Sequence, residues 1–189
     1  MSKRKNPDTS SIAYRHFVDN PRYGREPQWS SWTPPHEMAV HEVDKASRIP
    51  GTAIPVDPSL YQGRIIRRTP GYYLDCSCNC TSCKRPFIFF AAEQKYWFET
   101  LGFHADARAV RCAECRKIVK ASQEVQSRYV ELSHLEPRRP EQDLEWLELY
   151  CALPGIKSSA LPEQVLNRLA KLPEIDSARL EECRRILKP

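Results

Sequence analysis

The sequence predicts an α+β fold assembled from small modules, and three observations point there. Cys80 and Cys83 form one Cys-x-x-Cys, Cys112 and Cys115 form another, and an aromatic-rich stretch lies between the two pairs. Prolines keep interrupting residues 1–62, whereas residues 137–189 carry the spacing of amphipathic helices. The chain therefore divides into an extended proline- and aromatic-rich arm (1–62), a four-cysteine module (63–136) and a short all-α unit (137–189). Two closely spaced pairs of thiolates match what one structural Zn²⁺ requires: soft ligands in tetrahedral geometry, each pair delivered by one chelating turn.

Composition bounds the rest. At 189 residues the chain can bury a modest core but not a large enzyme architecture. Hydrophobic residues at 41% and charged residues at 28% are ordinary for a soluble protein, while sixteen prolines against six glycines favour stiff, extended segments. A formal charge of +5 and a pI near 8.8 permit contact with nucleic acid or an acidic partner, but a mild excess spread along the chain selects neither. No apolar run reaches bilayer length, and residues 1–20 lack the apolar core of a secretory signal. With four of the eight cysteines in paired spacing, the expectation is a cytoplasmic protein whose thiols bind metal rather than one another.

In the arm, prolines at 7, 21, 27, 34, 35, 50, 55 and 58 remove backbone donors and push their neighbours toward extended conformations. Yet Tyr14, Phe17, Tyr23, Trp29, Trp32, Ile49, Ile54, Val56, Leu60 and Tyr61 give it more apolar surface than a solvated tail carries. Residues 49–61 are expected to pack along the module, with residues 1–45 loosely held. Tyr23, Trp29 and Trp32, near Arg22 and Arg25, offer the alternative of a stacking surface for a partner.

From Gly63 the pattern changes. Tyr72, Tyr73 and Leu74 lead into Cys76, Cys78, Cys80 and Cys83, as a strand enters a metal knuckle. Six thiols compete there for four positions; Cys80 and Cys83 are favoured because a Cys-x-x-Cys turn brings both sulfurs to one point, whereas Cys76 and Cys78 lie on an extended segment. Lys84 follows the pair where such knuckles often place glycine. Pro86, Phe87, Ile88, Phe89 and Phe90 are wholly apolar, which predicts a core strand buried on both faces. Residues 93–103 read as a helix without a polar cap, stopped by Gly102, its Tyr-Trp-Phe run sealing the metal site. Cys112 and Cys115 open a longer helix with Ile118, Val119, Val125, Tyr129 and Leu132 on its apolar positions, ending before Pro137. A knuckle, strand material and a ligand-bearing helix start together describe a treble clef.

The stretch from Cys80 to Lys117, CTSCKRPFIFFAAEQKYWFETLGF followed by VRCAECRK, resembles the probable zinc-ribbon (treble-clef) domain of small bacterial proteins. PRYG at 21–24 and RIPGTAIPVD at 48–57 look like the arm found with it, so the resemblance spans about residues 21–120. It implies zinc held by Cys80, Cys83, Cys112 and Cys115, and no established activity. Lys84 and the additional Cys76 and Cys78 depart from its pattern.

The last segment reads as three helices: 141–153, stopped by Pro154 and Gly155; 162–172, with proline in its first turn; and one from Asp176, a capping residue, to Leu187. Cys151 and Cys183 fall on apolar faces as small buried hydrophobes. Four cysteines on one Zn²⁺ leave no position for water, and the sequence has no paired helical chelate, phosphate loop or nucleophile elbow, so no enzyme is expected. The favoured expectation is contact with RNA, DNA or a ribonucleoprotein through Arg64, Arg67, Arg68, Lys120 and Arg128, cations beyond those needed to neutralise the metal centre. The alternative is a protein–protein adaptor whose arm and helical unit each present a surface to a protein partner on a zinc-stabilised platform.

Overall fold

A computed structural model describes residues 13–41, 45–61, 70–153 and 161–187. A 3₁₀ turn (Lys45–Ser47) is followed by four short strands, β1 (Ile54–Pro55), β2 (Tyr72–Tyr73), β3 (Cys76–Asn79) and β4 (Pro86–Phe89). Helix α1 (Ala91–Lys95) widens into a π-helical turn, Tyr96–Thr100. Helices α2 (Ala113–Ser133), α3 (Pro140–Ala152), α4 (Leu161–Leu169) and α5 (Ser177–Leu187) complete the order. The chain separates into two compact units, Met1–Lys117 and Ile118–Pro189, with the division inside α2. Among the described residues, no helix is long and apolar enough to cross a membrane.

The first unit is organised by β4. Phe87 to Phe90 are all buried: Phe87 and Phe89 face a cluster that holds the metal-site cysteines, Val18 and Ala109, while Ile88 and Phe90 face Ile49, Tyr14, Phe17 and Tyr23. Alternate side chains on a strand point to opposite faces, so a continuous run needs a cover on both sides. One cover is the arm. β4 pairs antiparallel with β3 in the register Cys76↔Phe89 to Asn79↔Pro86, and β1 pairs antiparallel with β2 through Ile54↔Tyr73 and Pro55↔Tyr72. Docking reaches well before residue 49, since Val18 N–H donates to the Pro86 carbonyl and Tyr23 packs on Phe90 at 5.3 Å between ring centroids.

A buried carboxylate ties these pieces together. Asp75 accepts hydrogen bonds from the backbone N–H of Gln28 (2.8 Å) and of Ala91 (2.6 Å), the first residue of α1. Its own N–H donates to Thr52 Oγ1 at 2.9 Å, and its carbonyl accepts from the Ile49 N–H at 2.9 Å. Helix α1 thus receives the cap that its preceding residues lack, from a residue far away in sequence. Burial pushes the Asp75 carboxyl up to about 6, and the two backbone donors oppose that rise.

The π-helical turn directs Phe98 and Glu99 inward. Tyr73 and Phe98 stack, His41 stacks on Phe98 at 4.4 Å, and Glu99 accepts hydrogen bonds from the Asp57 N–H and the Tyr73 hydroxyl. Desolvation and the nearby Arg108 guanidinium lower His41 to about 4, so this arm histidine is packed as a neutral ring. Gly102 ends the turn at a φ of 64°, as expected of a glycine stop.

The second unit has its own core. Leu132 from α2, Leu144, Trp146 and Leu147 from α3, Val165, Leu166 and Leu169 from α4, and Leu180 and Cys183 from α5 form one buried cluster. Tyr129, Trp146 and Tyr150 stack beside it. Asp143, also buried, bridges Arg138 and Arg168, and Asp176 caps α5 by accepting from the Ala178 N–H at 2.9 Å.

Removing the Asp75 carboxylate leaves two backbone donors without partners. Asp75→Ala is expected to destabilise the zinc-loaded protein by roughly 3 kcal/mol in chemical denaturation. Amide exchange should rise at Gln28 and Ala91 without loss of metal.

Candidate metal centre

Two local structures deliver the thiols. Cys80 and Cys83 lie in the turn between β3 and β4, which closes through Cys80 N–H to the Arg85 carbonyl (3.0 Å) and Lys84 N–H to the Cys80 carbonyl (2.9 Å). Cys112 immediately precedes α2, and Cys115 sits in its first turn. Thr81 joins the two, its N–H and hydroxyl both donating to the Val110 carbonyl, at 2.9 and 3.0 Å.

The four sulfurs lie within 4.8 Å of one another, Cys80 and Cys112 buried, Cys83 and Cys115 half-buried. Cys83 and Cys112 are 3.9 Å apart. A tetrahedron with metal–sulfur bonds of about 2.3 Å has edges of about 3.8 Å, so the donor set fits Zn²⁺ in both chemistry and size. The proton balance agrees. Burial opposes ionisation of Cys80, but N–H groups of Cys112, Cys83 and Ser82 draw its thiol down to about 6, and Cys83 is lowered by hydrogen bonds from Arg85. Cys112 is raised by burial and Cys115 is raised to about 12, first by its hydrogen bond with Cys112. Without a cation, four such neighbours cannot all carry charge; a divalent ion removes the conflict.

Cys76 and Cys78 stand apart from this group. The Cys76 thiol donates to the Leu74 carbonyl at 3.2 Å and lies 3.8 Å from Gln94 Nε2, and burial raises it to about 12. Burial raises Cys78 as well. Of the Tyr-Trp-Phe run expected to seal the site, Trp97 packs against the cluster and against Phe89 at 4.9 Å, whereas Phe98 packs with Tyr73 and Tyr96 is exposed.

Lys84 adopts a φ of 64°, in the left-handed region that its place in the knuckle demands and that a side chain disfavours. Its Nζ donates to the Thr81 carbonyl at 2.8 Å, an exposed bond that offsets little of the strain.

Of the expected cations, Lys120 and Arg128 line one shallow groove on α2, together with Gln123, Glu124, Ser127 and Glu131. Arg64, Arg67 and Arg68 lie outside the described residues. Arg128 is held by both oxygens of Glu145, at 2.7 and 2.8 Å, and by Glu131 at 2.9 Å; Lys120 is exposed, 3.7 Å from Glu124. Arg116, one residue beyond Cys115, pairs with the buried Glu93 and stacks over Trp97 at 5.2 Å. Arg85 pairs with Glu114 and hydrogen-bonds Cys83, while Arg111 Nε donates to Ser82 Oγ at 3.1 Å. Of the arm aromatics, Tyr23 and Trp32 pack inward on Phe90 and Tyr72, whereas Trp29 remains 55% exposed beside Gly51. Sequence reasoning missed Asp75, an acidic residue between Leu74 and Cys76, a pattern that marks a buried polar role without naming its partner.

Two sets of substitutions test the centre. Cys83→Ser or Cys112→Ser should abolish metal binding and unfold the first unit, since structural zinc contributes roughly 10–16 kcal/mol in small zinc peptides, as much as most domains possess in net stability. Cys76→Ser and Cys78→Ser should keep the metal in elemental analysis. Lys84→Gly should raise the denaturation midpoint by about 1 kcal/mol equivalent, and Lys84→Val should lower it.

Residues 74–124 match the family model described as a probable treble clef domain. No curated protein and no solved structure matches the chain. The two pieces that carry the thiols, a β-hairpin turn and the start of a helix, are those of a treble clef, and the matched residues include all four cysteines of the cluster.

Proposed function

We propose that the protein is a non-catalytic adaptor that binds another protein, with one structural Zn²⁺ held by Cys80, Cys83, Cys112 and Cys115. Four sulfurs fill the tetrahedron and leave no position for water or substrate. The observation that carries the protein-binding reading is a set of exposed apolar side chains in the treble-clef unit: Tyr96, Leu101, Phe103 and Val110 are each 39–51% exposed. Val110 is joined to the metal knuckle through Thr81, and Phe103 packs edge-on against Trp97, so rigid elements present both. A metal-fixed scaffold that displays large apolar groups suits a protein partner, whose contact gains most from preorganised anchors.

The electrostatics favour this over nucleic acid. Lys84, Arg85, Arg111, Arg116 and Lys117 lie beside the ligands of a centre of about −2 in sequence, and Glu93 and Glu114 pair with two of the arginines. The region is close to neutral. Contact with RNA or DNA through Arg64, Arg67, Arg68, Lys120 and Arg128 would need Arg128 to leave two carboxylates, at a cost that phosphate contacts must recover. The paired thiolates also favour a reducing, cytoplasmic setting.

The test compares two binding modes in zinc-loaded protein freed of nucleic acid. Partner capture is expected to be strong for the wild type and lost in Leu101→Glu and Val110→Glu, with metal content unchanged. No salt-sensitive binding to single- or double-stranded oligonucleotides should occur at low ionic strength. Oligonucleotide binding that weakens steeply with salt and falls when Arg67 and Arg68 are replaced would instead establish the nucleic-acid reading.

A further inference from the structure

Two cysteines take no part in the metal centre or its hairpin: Cys151, in the last turn of α3, and Cys183, in the middle of α5. Helices α3 and α5 pack on each other within the second unit. The Cys151 thiol lies 4.0 Å from the Cys183 carbonyl oxygen, which sets the two side chains next to each other across the helix pair. Cys183 is buried in the core beside Leu147 and Leu180, and Cys151 is half-buried, open to a small reagent from one side. Two residues 32 apart in sequence are thus placed side by side on separate, packed helices.

We propose that Cys151 and Cys183 form a disulfide pair, a latent modification site that staples α3 to α5 when the protein meets a hydroperoxide. The half-buried Cys151 reacts first. Its thiolate attacks the terminal oxygen of the peroxide, the O–O bond breaks, and a sulfenic acid forms as water or an alcohol leaves. The Cys183 sulfur then attacks the Cys151 sulfur; the S–S bond forms, the S–O bond breaks, and the Cys183 proton leaves with the hydroxide as water. Each cysteine sulfur has given up one electron and the peroxide bond has taken both.

Other features shape this reaction. Burial raises both thiols, Cys183 up to about 12, so little thiolate exists near neutral pH and the reaction is slow. This pair therefore responds to sustained oxidation and ignores brief exposure. It lies in a different unit from the four metal-site cysteines, whose sulfurs a bound ion protects, so the staple can close without loss of the metal. Closing a loop of 32 residues restricts the unfolded chain strongly. The proposal stands apart from the adaptor reading, since it requires no partner.

The experiment uses the full zinc-loaded chain treated with hydrogen peroxide, followed by alkylation of free thiols, digestion without reductant and mass spectrometry. A peptide linking Cys151 to Cys183, two hydrogens lighter than its reduced halves, is expected while the metal content stays constant. The melting temperature of the helical unit should rise by roughly 10 °C, return on treatment with dithiothreitol, and fail to rise in Cys151→Ser or Cys183→Ala. Three results would overturn the proposal: both cysteines recovered singly alkylated after the metal has already been released, Cys151 recovered in a link between two chains, or a linked peptide without a change in melting. Peptide mapping of the wild type decides the matter even if a variant folds poorly.

Discussion

The constraint on which the first unit depends is the convergence of four sulfurs on a single point. A hairpin turn and a helix start 29 residues apart are brought to within one coordination sphere, which neither element achieves by packing alone. The strands are only two to four residues long, too short for a sheet to hold its own register. The metal-site geometry therefore does what a larger core does elsewhere. It also explains why Lys84 can sit in a left-handed conformation: a knuckle that must point two sulfurs at one ion dictates its backbone, and the residue conforms.

Asp75 solves a second problem. A proline-interrupted arm cannot form regular ladders, so its backbone donors need partners from elsewhere. One carboxylate serves an arm donor and a helix donor, while the same residue's backbone bonds Thr52 and Ile49. The arm then becomes the second cover for β4. This is why the apolar character of Phe17, Tyr23 and Ile49 and the continuous run Phe87–Phe90 belong to one explanation: each supplies the surface the other must bury.

The metal-site group was legible in the sequence because paired cysteine spacing encodes geometry directly, and β4 because an unbroken apolar run admits few other readings. The three C-terminal helices were legible from their caps, stops and periodicity, down to Asp176 at the start of α5. Long-range polar contacts were not. Nothing near Asp75 in sequence indicates Ala91 or Gln28 as its donors, and nothing near Arg116 indicates that Glu93, not the metal centre, takes its charge. The prolines at 137 and 140 mark where α2 can no longer continue; the contacts change earlier, within α2, because Tyr129 and Leu132 already lie on the core of the helical unit. A break in chain conformation and a break in packing are different physical events.

Charge and apolar exposure offer a partner different things. In the helical unit, Arg128, Arg138, Arg168 and Arg179 are each directed at a carboxylate, with Asp143 buried between two of them, so its charges are largely satisfied internally. Moving such an arginine to a phosphate exchanges one ion pair for another, and the net gain is a difference between similar terms. An exposed apolar side chain has no internal competitor. Tyr96, Leu101, Phe103 and Val110 gain by leaving water at about 25 cal/mol per Å² of apolar surface, and no ion pair has to break first. That asymmetry is the physical reason for favouring a protein partner: these four arginines are already paired, and these four apolar groups are still exposed to water.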